Sequence, residues 1–338
     1  MSQNLIELVN RLQNKKIMII GDMVADVYLE GKISRISREA PVLILEHASE
    51  TVVPGGAANA VHNAATLGGH VYAVGLIGQD NAGAELNRVL DSKGVNVAGI
   101  IIDSSRPTIT KTRVMAGGQA TVRQQVVRID RESKEALAAP VEQALFSYIQ
   151  AHIKSMDAIA ICDYGGSTVS PAVRELIITM ANQAGLPAIV DSRYNVMDYQ
   201  GITYVKQNES EAAHASGVKN LDHNTLPQAG ETIRNHLGAE AVLITQGPEG
   251  MTLCERSGVI SHIPVSNRSE VYDVTGAGDT VVVTMMLAIA AGATYYDAAC
   301  LANFAAGVVV RKPGTATATP EELKRVIGEQ NYDDCRPH

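Results

Sequence analysis

The chain has 338 residues, 46% hydrophobic and 19% charged, the proportions of a globular protein able to bury a large core. Its 28 basic and 36 acidic residues give a net charge of −8, which excludes a general nucleic-acid binder, since such a protein needs a basic excess to neutralise phosphates. Cys162, Cys254, Cys300 and Cys335 form neither a CxxC pair nor a metal spacing, so a reducing, cytoplasmic setting is expected. Glu7 interrupts the first apolar stretch, leaving no signal-peptide core. The longest apolar run, 281–291, is about half of the roughly 20 residues a membrane span needs, so no membrane insertion is expected.

Leu5, Val9 and Leu12 recur at helical spacing and predict an amphipathic helix over residues 3–14. From there one pattern repeats: a short apolar run stops at a polar or glycine residue and a helical stretch follows. The run 17–20 stops at Gly21-Asp22, 158–162 at Asp163, 188–190 at Asp191, 202–205 at Lys206-Gln207-Asn208, and 241–244 at Thr245-Gln246-Gly247. Such runs read as buried parallel strands of an α/β fold. Ligands of open α/β sheets sit at the carboxyl ends of the strands, here Asp22, Asp163, Asp191, Asn208 and Gly247. Each alone is an ordinary turn residue; five on one edge point to a site. Residues 27–53 and 95–130 break the pattern. Both are rich in β-branched residues with partial alternation, and they predict strands outside the main sheet, forming a small sheet or lid. Residues 331–338 read as a loose tail on a single domain, 1–330.

Two glycine-rich segments carry the chemistry. In Asp273-Val-Thr-Gly-Ala-Gly-Asp279, Gly276, Ala277 and Gly278 precede a stretch of small residues placed on a helix in spite of its valine run. The first N–H groups of a helix lack intrahelical partners, and glycines let an anion approach them. Asp279 would aim a carboxylate at the same spot, where its natural task is to accept a proton from an attacking hydroxyl; the helix dipole should keep it ionised. A glycine turn followed by an acid capping a core helix accounts for this segment equally well. In the segment 54–69, Gly55 and Gly56 precede Ala57, Ala60, Ala64 and Ala65, and Asn59 offers a donor and an acceptor suited to a sugar hydroxyl; alone, this reads as a helix start packed on a strand. No GxxxxGK[ST] occurs, and no GxGxxG follows the first strand, which removes a nicotinamide dehydrogenase. The nine histidines form no HExxH motif or triad-like group.

Taken in order, the paired-glycine segment with Asn59, the Asn208-x-x-Glu211 motif and the late Gly-Ala-Gly-Asp279 resemble the ribokinase-like (PfkB) carbohydrate kinases over residues 16–323. Within that family the segments 21–28, 34–41, 123–130, 270–280 and 301–310 are most similar to the branch that phosphorylates the anomeric hydroxyl of D-glycero-β-D-manno-heptose 7-phosphate. The resemblance implies a three-layer α/β fold, a mostly parallel central sheet flanked by helices, with a small β-sheet lid. It implies ATP-dependent phosphorylation of a sugar or sugar phosphate, with Mg²⁺ and, as in many relatives, K⁺. Asp279 then matches the catalytic base, and Gly276, Ala277 and Gly278 the anion hole. Asp26, Gly55, Gly56 and Asn59 match sugar-binding positions. Asn208 and Glu211 match the motif that organises Mg²⁺ and the ATP phosphates, Glu211 indirectly. Thr245, Gly247 and Gly250 match the nucleotide loop, Asn303 a position near the adenine, and Asp273 and Thr275 a monovalent-cation site. Arg113 and Arg128, with Arg35, Arg38, Lys111 and Arg123, offer the lid a hold on a terminal phosphate.

The chain departs from that branch in a longer stretch around Met115 to Thr121 and at three short motifs. It has Gly165-Gly166-Ser167 where the branch reads x-Lys-Gly after Asp-Tyr, Ser192-Arg193 where it reads Pro-Lys, and Lys206-Gln207 where it reads Thr-Pro. No HxGH-type nucleotidyltransferase motif occurs. Other acceptors (ribose, fructose, a nucleoside) remain open, as does a non-catalytic ligand-binding relative. Partners are expected to be ATP, the sugar and a second copy of the chain joined through the lid.

Overall fold

The computed structural model describes residues 2–118, 121–219, 221–222, 224–266 and 271–329. Helix α1 (Ser2–Arg11) leads into β1 (Lys16–Gly21), and then the chain leaves the main sheet along two long strands, β2 (Met23–Ile36) and β3 (Leu43–Gly56). It returns through α2 (Ala57–Thr66), β4 (His70–Ile77), α3 (Asn81–Asp91) and β5 (Asn96–Ile102), and departs again along β6 (Ile109–Gly118) and β7 (Thr121–Arg131). The second half runs α4 (Ala139–His152), β8 (Ala158–Asp163), α5 (Pro171–Ala184), β9 (Ala188–Ser192), β10 (Tyr204–Asn208), α6 (Glu209–Ser216), α7 (Thr225–Leu237) and β11 (Ala241–Thr245). It ends with β12 (Met251–Glu255), β13 (Ile260–Ile263), α8 (Ala277–Ala290), α9 (Tyr295–Val309) and α10 (Pro320–Glu329).

Nine strands form the main sheet in the order β13-β12-β11-β10-β9-β8-β1-β4-β5. All neighbours are parallel except β11/β12 and β12/β13. The apolar runs found in the sequence are its central strands, buried on both faces, and the two faces feed separate cores. Ile17 and Ile19 of β1 face a core with α2, α8 and α9, while Met18 and Ile20 face one built on α4, α5 and α7. The order reverses between β1 and β8, and this switch point opens the crevice in which α/β sheets bind ligands.

The second sheet has the order β3-β2-β6-β7, with β2/β6 parallel and its other pairs antiparallel. It begins two residues after β1 and is the small separate sheet expected of a lid. The expected lid segment 95–130 needs a correction. Residues 96–102 are β5, the edge strand of the main sheet, and only 109 onward belongs to the lid. An edge strand pairs on one side only, and β5 is only partly buried (Ile100 buried, Ile102 60% exposed), so its β-branched run reads in the sequence like that of a lid strand. The expected tail, 331–338, lies outside the described residues.

The valine run of α8 is helical because burial overrides β propensity: residues 279–288 are buried on every side against α2, α9 and the sheet. Among the described residues no helix is long and apolar enough to cross a membrane.

Candidate active site

The site is assembled around the first turn of α8. Gly276 takes the left-handed conformation (φ 80°) and caps the helix, and a Cβ there would lie 2.4 Å from Asn59 Nδ2. Only glycine lets α2 come this close. Asn59 Nδ2 donates to Asp279 Oδ2 at 2.7 Å, and the Tyr164 hydroxyl donates to Asp279 Oδ1. Asn59 is itself oriented by Asn63, whose Nδ2 donates to Asn59 Oδ1 at 3.1 Å; Asn63 Oδ1 in turn accepts from Thr280 Oγ1 at 2.9 Å. Residues 59 and 63 are one helical turn apart, so this network links α2 to α8 through one face of each.

Asp279 is 9% exposed. Burial pushes its carboxyl up from 3.8 to about 6, against the bonds from Asn59 and Tyr164, which lower it; Asp191 adds to the rise and Lys206 opposes it. The helix dipole therefore does not set this group's basicity, as the sequence suggested; desolvation dominates and makes Asp279 a stronger base than an exposed aspartate. The expected anion hole also changes in detail. The Ala277 N–H is directed at the Val274 carbonyl at 3.3 Å, so an anion at this turn meets the first-turn N–H groups of Gly278 and Asp279.

A buried cation stands beside that turn. Lys206, on β10, is 4% exposed, and its ammonium donates to Asp191 Oδ2 at 2.9 Å. A Cβ on Gly278 would lie 2.9 Å from Lys206 Nζ. Burial pulls the lysine pKa down, but Asp191, Glu211 and Asp279 together push it higher, so the group stays charged. Lys206 had stood out in the sequence as the stop of an apolar run and as a departure from the related branch, not as a site residue. The signal that could have found it is a charged residue inside an otherwise buried strand.

The switch point supplies the floor. Asp22, just past β1, accepts from the N–H groups of Tyr164 and Gly166 at 2.9 Å and of Thr168 at 3.2 Å, pinning the turn after β8. Asp163 accepts from Ser192 Oγ at 2.9 Å and Tyr199 Oη at 2.8 Å. These two strand-end aspartates thus brace the site from beneath.

The residues expected to bind the sugar lie on and beside the second sheet. Asp26 is 3% exposed, and a Cβ on Gly55 would lie 2.6 Å from its Oδ2, which explains the glycine. Gly56 (φ 53°) turns the chain into α2, where the Ala57 N–H donates to the Asp22 carbonyl at 3.0 Å. Burial raises the pKa of Asp26, and Arg113, Lys111 and Arg128 oppose the rise. Arg113 bonds Asp26 Oδ1 at 3.2 Å and lies over the Tyr28 ring, while Arg128 pairs with Asp130 at 2.8 Å. Arg113 and Arg128 face each other in the β6/β7 register. Arg35 and Arg38 are exposed far along the β2/β3 hairpin; the side chain of Arg123 lies outside the described residues. Asn59, expected on the sugar, has its amide nitrogen on Asp279 and its oxygen on Asn63.

The other side of α8 carries the expected nucleotide residues. Asn208 and Glu211 form a reciprocal cap on α6, Asn208 N to Glu211 Oε2 at 2.8 Å and Glu211 N to Asn208 Oδ1 at 2.9 Å. Burial raises the pKa of Glu211, Asp191 adds to this, and Lys206 and Arg193 oppose it. Thr245 sits opposite Asn208 in the sheet register, and Gly247 (φ 54°) begins the turn that ends at Gly250 (φ 92°). Asn303 donates to the Pro264 carbonyl at 2.7 Å, so it holds the segment leaving β13. Asp273 accepts from the N–H groups of Thr275 at 2.9 Å and Gly314 at 3.0 Å, joining the turn before α8 to the 313–315 loop.

The chain is similar to known proteins in both sequence and fold. The pfkB family carbohydrate kinase profile matches residues 14–322. The bifunctional protein HldE of Citrifermentans bemidjiense is 40% identical over 324 residues, covering 96% of this chain and 65% of its own length. That of Geobacter sulfurreducens is 39% identical over 315 residues, covering 93% and 63%. The chain thus spans a little under two thirds of the length of these two relatives. Among solved structures, Arabidopsis thaliana ribokinase complexed with ribose and ATP superposes with a TM-score of 0.71 at 18% identity, covering 93% of this chain and 99% of that one. Escherichia coli phosphofructokinase-2 in complex with potassium gives 0.73 at 17%, covering 94% and 99%. Both share the ribokinase-like fold.

Proposed function

The chain belongs to the pfkB family of carbohydrate kinases, and we propose that it transfers the terminal phosphoryl group of ATP to the anomeric hydroxyl of D-glycero-β-D-manno-heptose 7-phosphate. The observation that carries the reading is the buried Asp279 carboxylate at the first turn of α8, beside Gly278 and the Lys206 ammonium. The acceptor oxygen forms a bond to the γ-phosphorus as the bond to the ADP oxygen breaks, and the hydroxyl proton passes to Asp279. The first-turn N–H groups and Lys206 stabilise the charge on the transferring group. The lid excludes water, which would otherwise compete as acceptor.

Among the described residues no group of three or more His, Cys, Asp or Glu side chains gathers to hold a metal. Glu211 would help to hold Mg²⁺ together with the ATP phosphates. The ion would neutralise charge on the phosphates when bound. Asp273 and Thr275 would serve a monovalent ion such as K⁺; nearby, the Thr315 hydroxyl is buried with no hydrogen-bond partner, which favours an ion at that turn.

An anionic acceptor is supported by the lid, where three cations, Lys111, Arg113 and Arg128, stand against two carboxylates, Asp26 paired with Arg113 and Asp130 paired with Arg128. The heptose phosphate is preferred among anionic sugars because the segments 21–28, 34–41, 123–130, 270–280 and 301–310 resemble the heptose-phosphate branch, and the similarity to the HldE proteins is consistent with it. A neutral sugar is the competing reading, favoured by Gly166 in place of a lysine and by the engagement of Arg113 with Asp26. ADP release with Mg²⁺-ATP and a panel of free sugars and sugar phosphates decides between them. Turnover strongest on heptose 7-phosphate is expected; turnover only on unphosphorylated sugars would reject that acceptor.

We further infer a cytoplasmic homodimer joined through the lids. The outer strands β3 and β7 leave open edges, and Ile36, Val42, Leu43 and Ile129 are exposed apolar residues of the same sheet and its hairpin. Light scattering should give twice the chain mass; a monomer would remove the idea.

A further inference from the structure

Asp279 is held at both carboxylate oxygens, from two different elements. Asn59 of α2 holds Oδ2 and is braced by Asn63 and Thr280. Tyr164 holds Oδ1 and is braced by a turn of unusual build: three of its N–H groups converge on Asp22, and Gly165 (φ 84°) and Ser167 (φ 71°) are both left-handed. Left-handed backbone at a non-glycine residue costs free energy and persists only where the surroundings fix it. The side chain that this turn delivers into the site is the Tyr164 hydroxyl. An ionised carboxylate only accepts hydrogen bonds, so the hydroxyl must donate, and each oxygen keeps a lone pair for the acceptor's proton.

We propose that Tyr164 is a positioning residue for phosphoryl transfer: its hydroxyl holds the Asp279 carboxylate in the orientation, and in the ionised form, that receives the proton of the acceptor. The proposal rests on the reading of Asp279 as the base. The groups that face Asp279 are Cys162 of β8, Asp191 of β9, Lys206 of β10, Asn59 of α2 and Tyr164. Burial pushes the pKa values of Cys162 and Tyr164 far up, so the thiol stays neutral and the hydroxyl stays a donor. Asp191 favours the protonated carboxyl. Against it and against burial stand Asn59, Tyr164 and Lys206. Without the Tyr164 hydroxyl only Asn59 and Lys206 remain, and Asp279 would begin to protonate within the neutral range.

The test is the titration of Asp279 followed by carboxyl ¹³C NMR in aspartate-labelled protein, with Asp279→Asn identifying the resonance. Steady-state kinetics of the same proteins accompany it. Tyr164→Phe removes one oxygen and should raise the Asp279 midpoint by about one to two pH units. It should move the acid limb of kcat/KM equally and leave KM for ATP unchanged. Fluorotyrosine at position 164, a stronger donor of nearly the same size, should move the midpoint down, and it keeps the test available if the Phe variant does not fold. A midpoint unmoved by both changes overturns the proposal; a purely packing role would lower the melting temperature without touching it. If Asp279→Asn turned over at the wild-type rate, the assignment of the base would fail instead, and the two failures are thereby separated.

Discussion

Replacing Asp279 by Asn is expected to abolish turnover and, at neutral pH, to make the protein more stable. The folded carboxyl is raised from its ordinary 3.8 to about 6, chiefly by burial. Between those two values the folded protein binds the extra proton, so stability falls as pH rises. The loss is complete above about pH 6 and absent below about pH 4. At 1.36 kcal/mol per unit, ionised Asp279 costs the fold about 3 kcal/mol. Asn resembles the protonated acid: its oxygen can accept from Asn59 while its NH₂ donates to the Tyr164 hydroxyl, which turns to accept. Urea unfolding of wild type and variant from pH 4 to pH 8, read as the midpoint at constant m-value, measures the difference. The variant should gain about 2–3 kcal/mol at pH 7.5 and nothing at pH 4. A variant less stable than wild type at pH 7.5, or a gain that does not change with pH, would refute the reasoning. Loss of activity with gain of stability is what a base kept buried for its reactivity predicts.

Lys206→Met should destabilise by about 3–5 kcal/mol because it leaves Asp191 buried and unpaired, whereas Lys206→Met with Asp191→Leu should recover most of that loss; denaturant midpoints decide, and a double variant as unstable as the single would reject the pairing. Ser167→Gly should stabilise by about 0.5–1 kcal/mol, since the residue sits at φ 71°, and a lower melting temperature would contradict this. Gly250→Ala should fold poorly, because its Cβ would lie 2.1 Å from the Ile263 carbonyl oxygen and the residue has φ 92°; a soluble variant with wild-type KM for ATP would show that the nucleotide turn tolerates it.

Much of this architecture could be read from the residues. Fully apolar runs that stop at Asp22, Asp163, Asp191, Asn208 and Thr245 are legible as buried parallel strands because both faces of such strands must be apolar, and the glycines before α8 mark a backbone approached closely. The family resemblance rested on the same local patterns, since they are spaced by elements that each fold from local preference. The edge strand β5 was misassigned because its β-branched run marks a strand and nothing more, and a partly buried sheet edge has the same composition as a lid strand. Periodicity carries no information about which sheet a strand joins.

The chemistry of the site was decided elsewhere. Asn59 and Asp279 are 220 positions apart, and Tyr164 and Asp279 are 115, so their hydrogen bonds exist only once α2, the turn after β8 and α8 meet. The sequence marked Asp279 as a carboxylate at a helix start and suggested a dipole-stabilised acid. Packing buried it, raised its pKa, and supplied the two donors that keep it usable. Lys206 could be seen as a charge inside a strand, but its place beside Gly278 follows from the lateral order of β8, β9 and β10 beneath α8. A sequence determines which groups are available and which local conformations they prefer; the dielectric around a charge and the partners that face it are properties of the assembled layers.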